Sequence, residues 1–207
     1  MYRTWIFGVF LCVGFNVCAM DGDGTTQADE DAIYKAVLDI RSVEMATAVF
    51  KNIKDASLLA QALAVGFFAS AEKKYPADLV QFYIQKGVDV RMVEKKSEGS
   101  KIERKLNFLH FLVGEVYRYN TNEKQGDLCE KARHVLEIAP ELVFRKNYWD
   151  MSPYGVAGQL LNLSSAVPGY LILVNLFKEY AVKVDLSLLQ ENERETAQAE
   201  LDLLQAS

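Results

Sequence analysis

The chain has 207 residues, of which 50% are hydrophobic and 25% charged, with only four prolines and twelve glycines. This composition is that of a globular domain of ordinary size, and it argues against a chain disordered throughout, a collagen or a membrane protein with many spans. The 23 basic and 28 acidic residues give a net charge of −5, which argues against nucleic-acid binding because such binding depends on neutralising phosphates.

The N-terminal segment has the pattern of an export signal. Residues 1–20 place one basic residue, Arg3, before an apolar run without acidic residues, and residues 17–19 supply the small side chains that a signal peptidase reads. The run is short for a membrane span. We therefore interpret residues 1–20 as a cleaved signal peptide, which predicts a secreted or periplasmic protein. The alternative is that the segment is retained and anchors the chain to a membrane.

The segment after the signal is acidic, and one cysteine follows it. Residues 21–28 have the composition of a flexible linker. Removal of the signal takes Cys12 and Cys18 with it and leaves Cys129 alone. An exported domain with one cysteine has no internal disulfide, so its stability must come from a packed core.

From Asp29 onward, apolar residues recur at intervals of three and four, which is the helical period. Two short stripes, with a break near Arg41, predict an N-terminal helical cap over residues 29–54. Three further helix pairs follow, with apolar stripes at 58–65 and 79–84, at 109–116 and 128–138, and at 156–163 and 170–177. No segment alternates as a strand would, so we expect an all-α protein.

The first helix of each later pair opens with a related motif. The segments are Ser-Leu-Leu-Ala-Gln-Ala at 57–62, Asn-Phe-Leu-His-Phe-Leu at 107–112 and Ser-Pro-Tyr-Gly-Val-Ala at 152–157. They resemble the Thr-Pro-Leu-His-x-Ala opening of an ankyrin repeat. Residues 86–91, Lys-Gly-Val-Asp-Val-Arg, resemble the close of that repeat, and residues 184–187 stand in the same place later.

The ankyrin resemblance implies a helical-hairpin solenoid of about three units over residues 55–187, in which Ser57, Asn107 and Ser152 cap the first helices. It also implies a protein-protein interaction module without catalytic activity. The units are longer than the ankyrin period of about 33 residues. We place the surplus in elongated loops at 67–76, 91–105 and 117–127. Residues 188–207 are acidic and helix-forming, and form either a terminal cap or an unstructured end.

The sequence contains few candidates for chemistry. His110 falls at the ankyrin histidine position, where the resemblance implies a hydrogen bond to the turn between repeats. With only His134 besides it, and no metal or phosphate motif, we expect no metal or cofactor. Cys129 stands five positions from His134, which is poor alignment for an activated pair on a helix. We therefore expect Cys129 to be a buried or half-buried small apolar residue. The alternatives are a small thiol-dependent enzyme and an intermolecular disulfide.

Residues 151–177 contain no charge, which invites a membrane interpretation. Pro168 and Gly169 divide this stretch into two pieces, each of which has the length of a short helix. We therefore expect a hairpin buried between neighbouring elements.

The candidate partner-binding residues lie on two connections between predicted helix pairs. Residues 91–105 contain six basic and three acidic residues. The basic residues include Lys95, Lys96 and Arg104. The next connection contributes Arg145, Tyr148 and Trp149, and aromatic residues beside arginine are typical of binding hot spots. The alternative is a solvated first loop and a locally packed Trp149. We expect a monomer that binds a protein partner.

Overall fold

The computed structural model describes residues 27–72, 74–93, 105–118, 122–163 and 167–205. The predicted signal peptide and most of the predicted linker lie outside the described residues. The described part of the chain contains nine α-helices and no β-strand. The helices are α1 (Gln27–Leu38), α2 (Val43–Lys51), α3 (Ala56–Ala69), α4 (Ala77–Gln85), α5 (Phe108–Glu115), α6 (Asn122–Leu136), α7 (Pro153–Leu163), α8 (Pro168–Ala181) and α9 (Glu191–Gln205). Short 3-10 helices occupy Val116–Arg118, Pro140–Val143 and Leu186–Leu188.

The first eight helices form four pairs that pack in two layers. Helix α1 contacts α3, and α5 contacts α7, while α2, α4, α6 and α8 contact one another in that order. Stacked rings join α3 to α5, with Phe67 and Phe108 4.6 Å apart between centroids. Each odd-numbered helix also contacts the even-numbered helix that follows it. The fold is therefore all-helical and repeat-like, as the apolar periodicity predicts.

Three of the first helices begin with the same kind of cap. A side-chain oxygen accepts the backbone N–H three positions later at Asp55 (2.6 Å), Asn107 (3.2 Å) and Ser152 (3.0 Å). The prediction for Asn107 and Ser152 is confirmed, whereas the prediction for Ser57 is wrong. Asp55 takes that role two positions earlier, because its carboxylate is an equally good N-cap and Ser57 lies inside the first helical turn.

The ends of the second and fourth pairs share a turn. The side chain of Asp89 accepts the backbone N–H of Arg91, and that of Asp185 accepts the N–H of Ser187, each at 2.9 Å. Both turns follow the second helix of a pair at the same distance along the chain. Such Asx turns recur because a short acidic side chain can satisfy a backbone donor two residues on.

Two predicted loops are shorter than the sequence indicates. Helix α3 continues through Gly66 to Ala69, and α6 begins at Asn122 instead of at Asp127. Gly66 lies inside the helix, where its missing side chain lets Tyr83 pack closely against the backbone. A β-carbon at this position would meet the ring and hydroxyl of Tyr83. The first turns of α6 lack an apolar stripe, so periodicity alone does not detect them.

The uncharged stretch forms α7 and α8. Pro168 begins α8, whose Leu173 and Phe177 are buried in the core. Helix α7 is less covered than we expected, with Leu163 80% exposed at its end. None of the described helices is long and apolar enough to cross a membrane.

Candidate functional site

A groove of about 480 Å³ lies where the connections between pairs meet the start of α9. Its charged and aromatic lining consists of Arg91, Lys105, Arg145, Lys146, Tyr148, Asp150 and Glu193. Val93 and Lys105, the described residues on either side of 94–104, also line this groove. The predicted binding residues Lys95, Lys96 and Arg104 themselves lie outside the described residues.

One wall of the groove continues into a structured turn at residues 147–151, which we call the aromatic turn. The buried Asn147 side chain accepts the backbone N–H groups of Trp149 (2.9 Å) and Met151 (3.1 Å). The Asn147 N–H in turn donates to the Met151 carbonyl at 2.9 Å. Asp150 adopts a left-handed conformation with φ of 59°, which short polar residues tolerate. The backbone of the turn is therefore held from within.

The aromatic turn presents two large side chains to solvent. Tyr148 is 45% exposed and Trp149 is 57% exposed. Their rings contact each other edge to face, with centroids 5.6 Å apart. Of the two interpretations of Trp149, local packing accounts for its contact with Tyr148, yet the residue as a whole is more than half exposed.

His110 ties the aromatic turn to the helical scaffold. Its Nε2 lies 3.0 Å from the Met151 carbonyl, and its other ring nitrogen belongs to the cap of α5 formed with Asn107. Because Nε2 faces an acceptor, it must carry a proton and donate to Met151. Burial lowers the pKa of His110 to about 4, so the ring is neutral at pH 7. The hydrogen bond joins α5 to the turn before α7, which is the structural role that the ankyrin resemblance implies.

Most charges around the groove are engaged inside the chain. Arg145 donates to the Leu188 carbonyl at 2.8 Å and lies 3.5 Å from the Glu193 carboxylate. Lys146 pairs with Asp150 at 3.2 Å. Arg91 pairs with the buried Glu141 at 2.7 Å. Lys105 is an exposed residue at the rim of the groove.

The structure thus brings three predicted residues together, but with different roles. Tyr148 and Trp149 are exposed together on one turn, while Arg145 is bound to the C-terminal segment. Sequence reasoning missed Asn147, which organises the turn. The sequence does indicate this role, because the side chain of an asparagine in a turn commonly accepts the backbone N–H of the residue two positions later.

The region around Cys129 lacks the features of a thiol active site. The cysteine is half-buried and unpaired by a disulfide, and burial raises the pKa of its thiol. A catalytic thiolate requires the opposite direction. No group of three or more potential metal ligands occurs within the described residues.

No protein-family model matches the chain, and it matches no curated protein and no solved structure. A functional proposal for this chain therefore rests on the geometry of the groove and the aromatic turn.

Proposed function

We propose that the protein is an exported, ankyrin-repeat-like helical-hairpin solenoid that binds a protein partner and has no catalytic activity. The observation that carries the proposal is the aromatic turn, where Tyr148 and Trp149 are exposed on a backbone fixed by Asn147 and His110. The groove beside it supplies a polar wall. Recognition, and not chemistry, is what this arrangement supports.

The solenoid part of the proposal draws on recurrence. Successive helix pairs contact the preceding pair through both layers, with stacked aromatic rings supplying the contact between α3 and α5. Equivalent polar caps open three of the first helices, and equivalent Asx turns close two of the second helices. A stack in which each unit contacts only its neighbours has these properties, and its connections line up along one edge as a binding surface.

The binding part of the proposal draws on energetics. Tyrosine and tryptophan supply large contact areas and are enriched among residues that dominate interface energies. Because the turn is already held by four internal hydrogen bonds, little backbone entropy is lost when a partner binds. A hydrophobic hot spot with a charged groove beside it fits a protein partner better than it fits a small molecule.

A capture experiment with matched variants tests this proposal. The immobilised wild-type chain, a Tyr148→Ala/Trp149→Ala variant and a Tyr117→Ala control are incubated with extract and secreted fraction from the source. Tyr117 is 49% exposed past the opposite end of α5, so the control also removes an exposed tyrosine. Helical circular dichroism establishes that each variant is folded.

The double variant should lose its specific partner, since each hot-spot side chain contributes about 2 kcal/mol or more and the affinity falls at least about 100-fold. The Tyr117→Ala chain should retain the same partner. Equal recovery by all three folded chains would remove the aromatic turn from consideration. Mass spectrometry of the mature N-terminus tests export separately, with a start near Met20 or Asp21 expected.

A further inference from the structure

Glu193 joins the start of α9 to the wall of the groove through hydrogen bonds and an ion pair. Its carboxylate accepts the backbone N–H of Lys146 at 2.9 Å and the N–H of Gln190 at 3.1 Å, and it lies 3.5 Å from the Arg145 guanidinium. The residue is only 5% exposed. A guanidinium and a backbone N–H that converge on one carboxylate form a charge-assisted recognition site. Arg145 and the N–H of Lys146 therefore already recognise a carboxylate.

Past Glu193, most of the described side chains of α9 are exposed. Beyond Glu193, its buried residues among those described are Ala197 and Leu201. Glu200 stands at a small cavity of about 130 Å³ that α7 and α9 line together. One of its carboxylate oxygens is buried without a hydrogen-bond partner in the described part of the chain. Burying this carboxylate costs free energy and raises the pKa of Glu200, even though Lys146 at the same cavity attracts the charged form.

Detachment of α9 would change the groove directly. Gln190, Asn192 and Glu193 form its wall on that side. Without them, Arg145 and Lys146 would become accessible beside Tyr148, in the same stretch of chain as the aromatic turn. The surface uncovered would carry the uncompensated charge of Arg145, because the Glu193 carboxylate leaves with the helix whereas Asp150 stays paired with Lys146.

We propose that Arg145 and Lys146 form a carboxylate-recognition site, which Glu193 of α9 occupies in the free chain and which an acidic segment of the protein partner occupies in the complex. This inference rests on the proposed function and specifies its partner: a segment that presents a glutamate or aspartate next to apolar residues for Tyr148 and Trp149. Helix α9 then acts as an internal competitor, and the partner must displace it.

The probe for this site is a fluorescein-labelled peptide with the sequence of residues 189–205. It is titrated against the full-length wild-type chain, a Glu193→Gln variant and a Glu195→Gln control with the same charge change at an exposed position. A charge-assisted hydrogen bond contributes about 1.5–3 kcal/mol. The Glu193→Gln chain should therefore bind the peptide roughly 10- to 100-fold more tightly than the other two chains. A peptide with glutamine at position 193 should lose a similar factor.

Hydrogen exchange on the same chains gives a second measurement. In the wild-type chain, the amides of α9 should exchange before those of α8. In the Glu193→Gln chain, the α9 amides should exchange about tenfold or more faster than in the wild type. In the Glu195→Gln chain, their exchange rate should equal that of the wild type. The proposal is overturned if α9 exchanges only together with the core, or if the peptide binds all chains equally or none. A Glu193→Gln chain that fails to fold would also overturn it, because a displaceable contact cannot be required for folding.

The two proposals fail in different ways. Loss of the partner in the Tyr148→Ala/Trp149→Ala variant without any peptide effect would leave the interaction module standing and remove the carboxylate site. A peptide effect without partner loss in that variant would establish that α9 can be displaced and would reject the aromatic turn as the partner surface.

Discussion

Replacing His110 with glutamine should remove about 2 kcal/mol of the stability that the protein loses between pH 7 and pH 5. The ring is buried against the Met151 carbonyl, and its pKa is lowered to about 4 from the ordinary value of 6.5. As the pH falls below 6.5, the unfolded chain takes up this proton before the native chain does. The free energy of unfolding therefore decreases with falling pH between about 6.5 and 4, and the contribution of His110 to this decrease stops below that range.

The size of the effect follows from the pKa difference. Each pKa unit corresponds to about 1.4 kcal/mol, so the whole difference amounts to about 3 kcal/mol. About 2 kcal/mol of this is lost between pH 6.5 and pH 5. Glutamine does not titrate, so the His110→Gln chain should lack this contribution even if its stability at pH 7 is lower.

Urea unfolding followed by circular dichroism at pH 7 and pH 5 measures this difference. The matched control is His134→Gln, which removes the other histidine, a half-buried residue of α6. The wild-type chain should lose about 2 kcal/mol more than His110→Gln over this range, and the His134→Gln chain measures the effect of removing a histidine elsewhere. An equal loss in all three chains would refute the assignment of a buried, neutral His110.

Three further tests address the scaffold. Gly66→Ala should lower the free energy of unfolding by about 1–3 kcal/mol in thermal or urea unfolding, because the added methyl group would meet Tyr83. Gly114→Ala should stabilise α5 by about 0.5–1 kcal/mol, because no neighbouring atom lies within 4 Å of the added methyl group. Lys131→Met should lower the free energy of unfolding by about 2–4 kcal/mol. Methionine removes a fully buried ammonium, and the polar groups that pair with it are then buried without a partner. Cys129 should react with iodoacetamide at pH 8 much more slowly in the native chain than in urea, since burial raises the pKa of its thiol; equal rates would revive the thiol-enzyme alternative.

The helix pairs were predictable because each buries an apolar stripe with the helical period. The break between α1 and α2, and the start of α8 at Pro168, follow from local sequence. The errors lie where local sequence is not decisive. Gly66 follows an apolar stripe and therefore predicts a helix end. In the structure it instead makes room for Tyr83, which approaches from the next helix. The polar first turns of α6 have no apolar period to reveal them.

The candidate site was predictable only where local sequence identifies its residues. Tyr148 and Trp149 stand out as aromatic residues on a connection between helices, and the structure exposes both. The engagement of Arg145 by Leu188 and Glu193 depends on the path of the chain through a whole further helix pair. No local pattern at Arg145 indicates whether its charge faces a partner or the chain's own C-terminal segment.

The claim that the aromatic turn contacts a partner protein is tested most directly by photo-crosslinking in the cells that produce it. A benzoylphenylalanine is placed at position 148 in one chain and at position 117 in a matched chain, since both native tyrosines are similarly exposed. We predict a discrete protein adduct at position 148 and none at position 117. Equal crosslinking at both positions, or none at position 148, would contradict the proposed role of the aromatic turn.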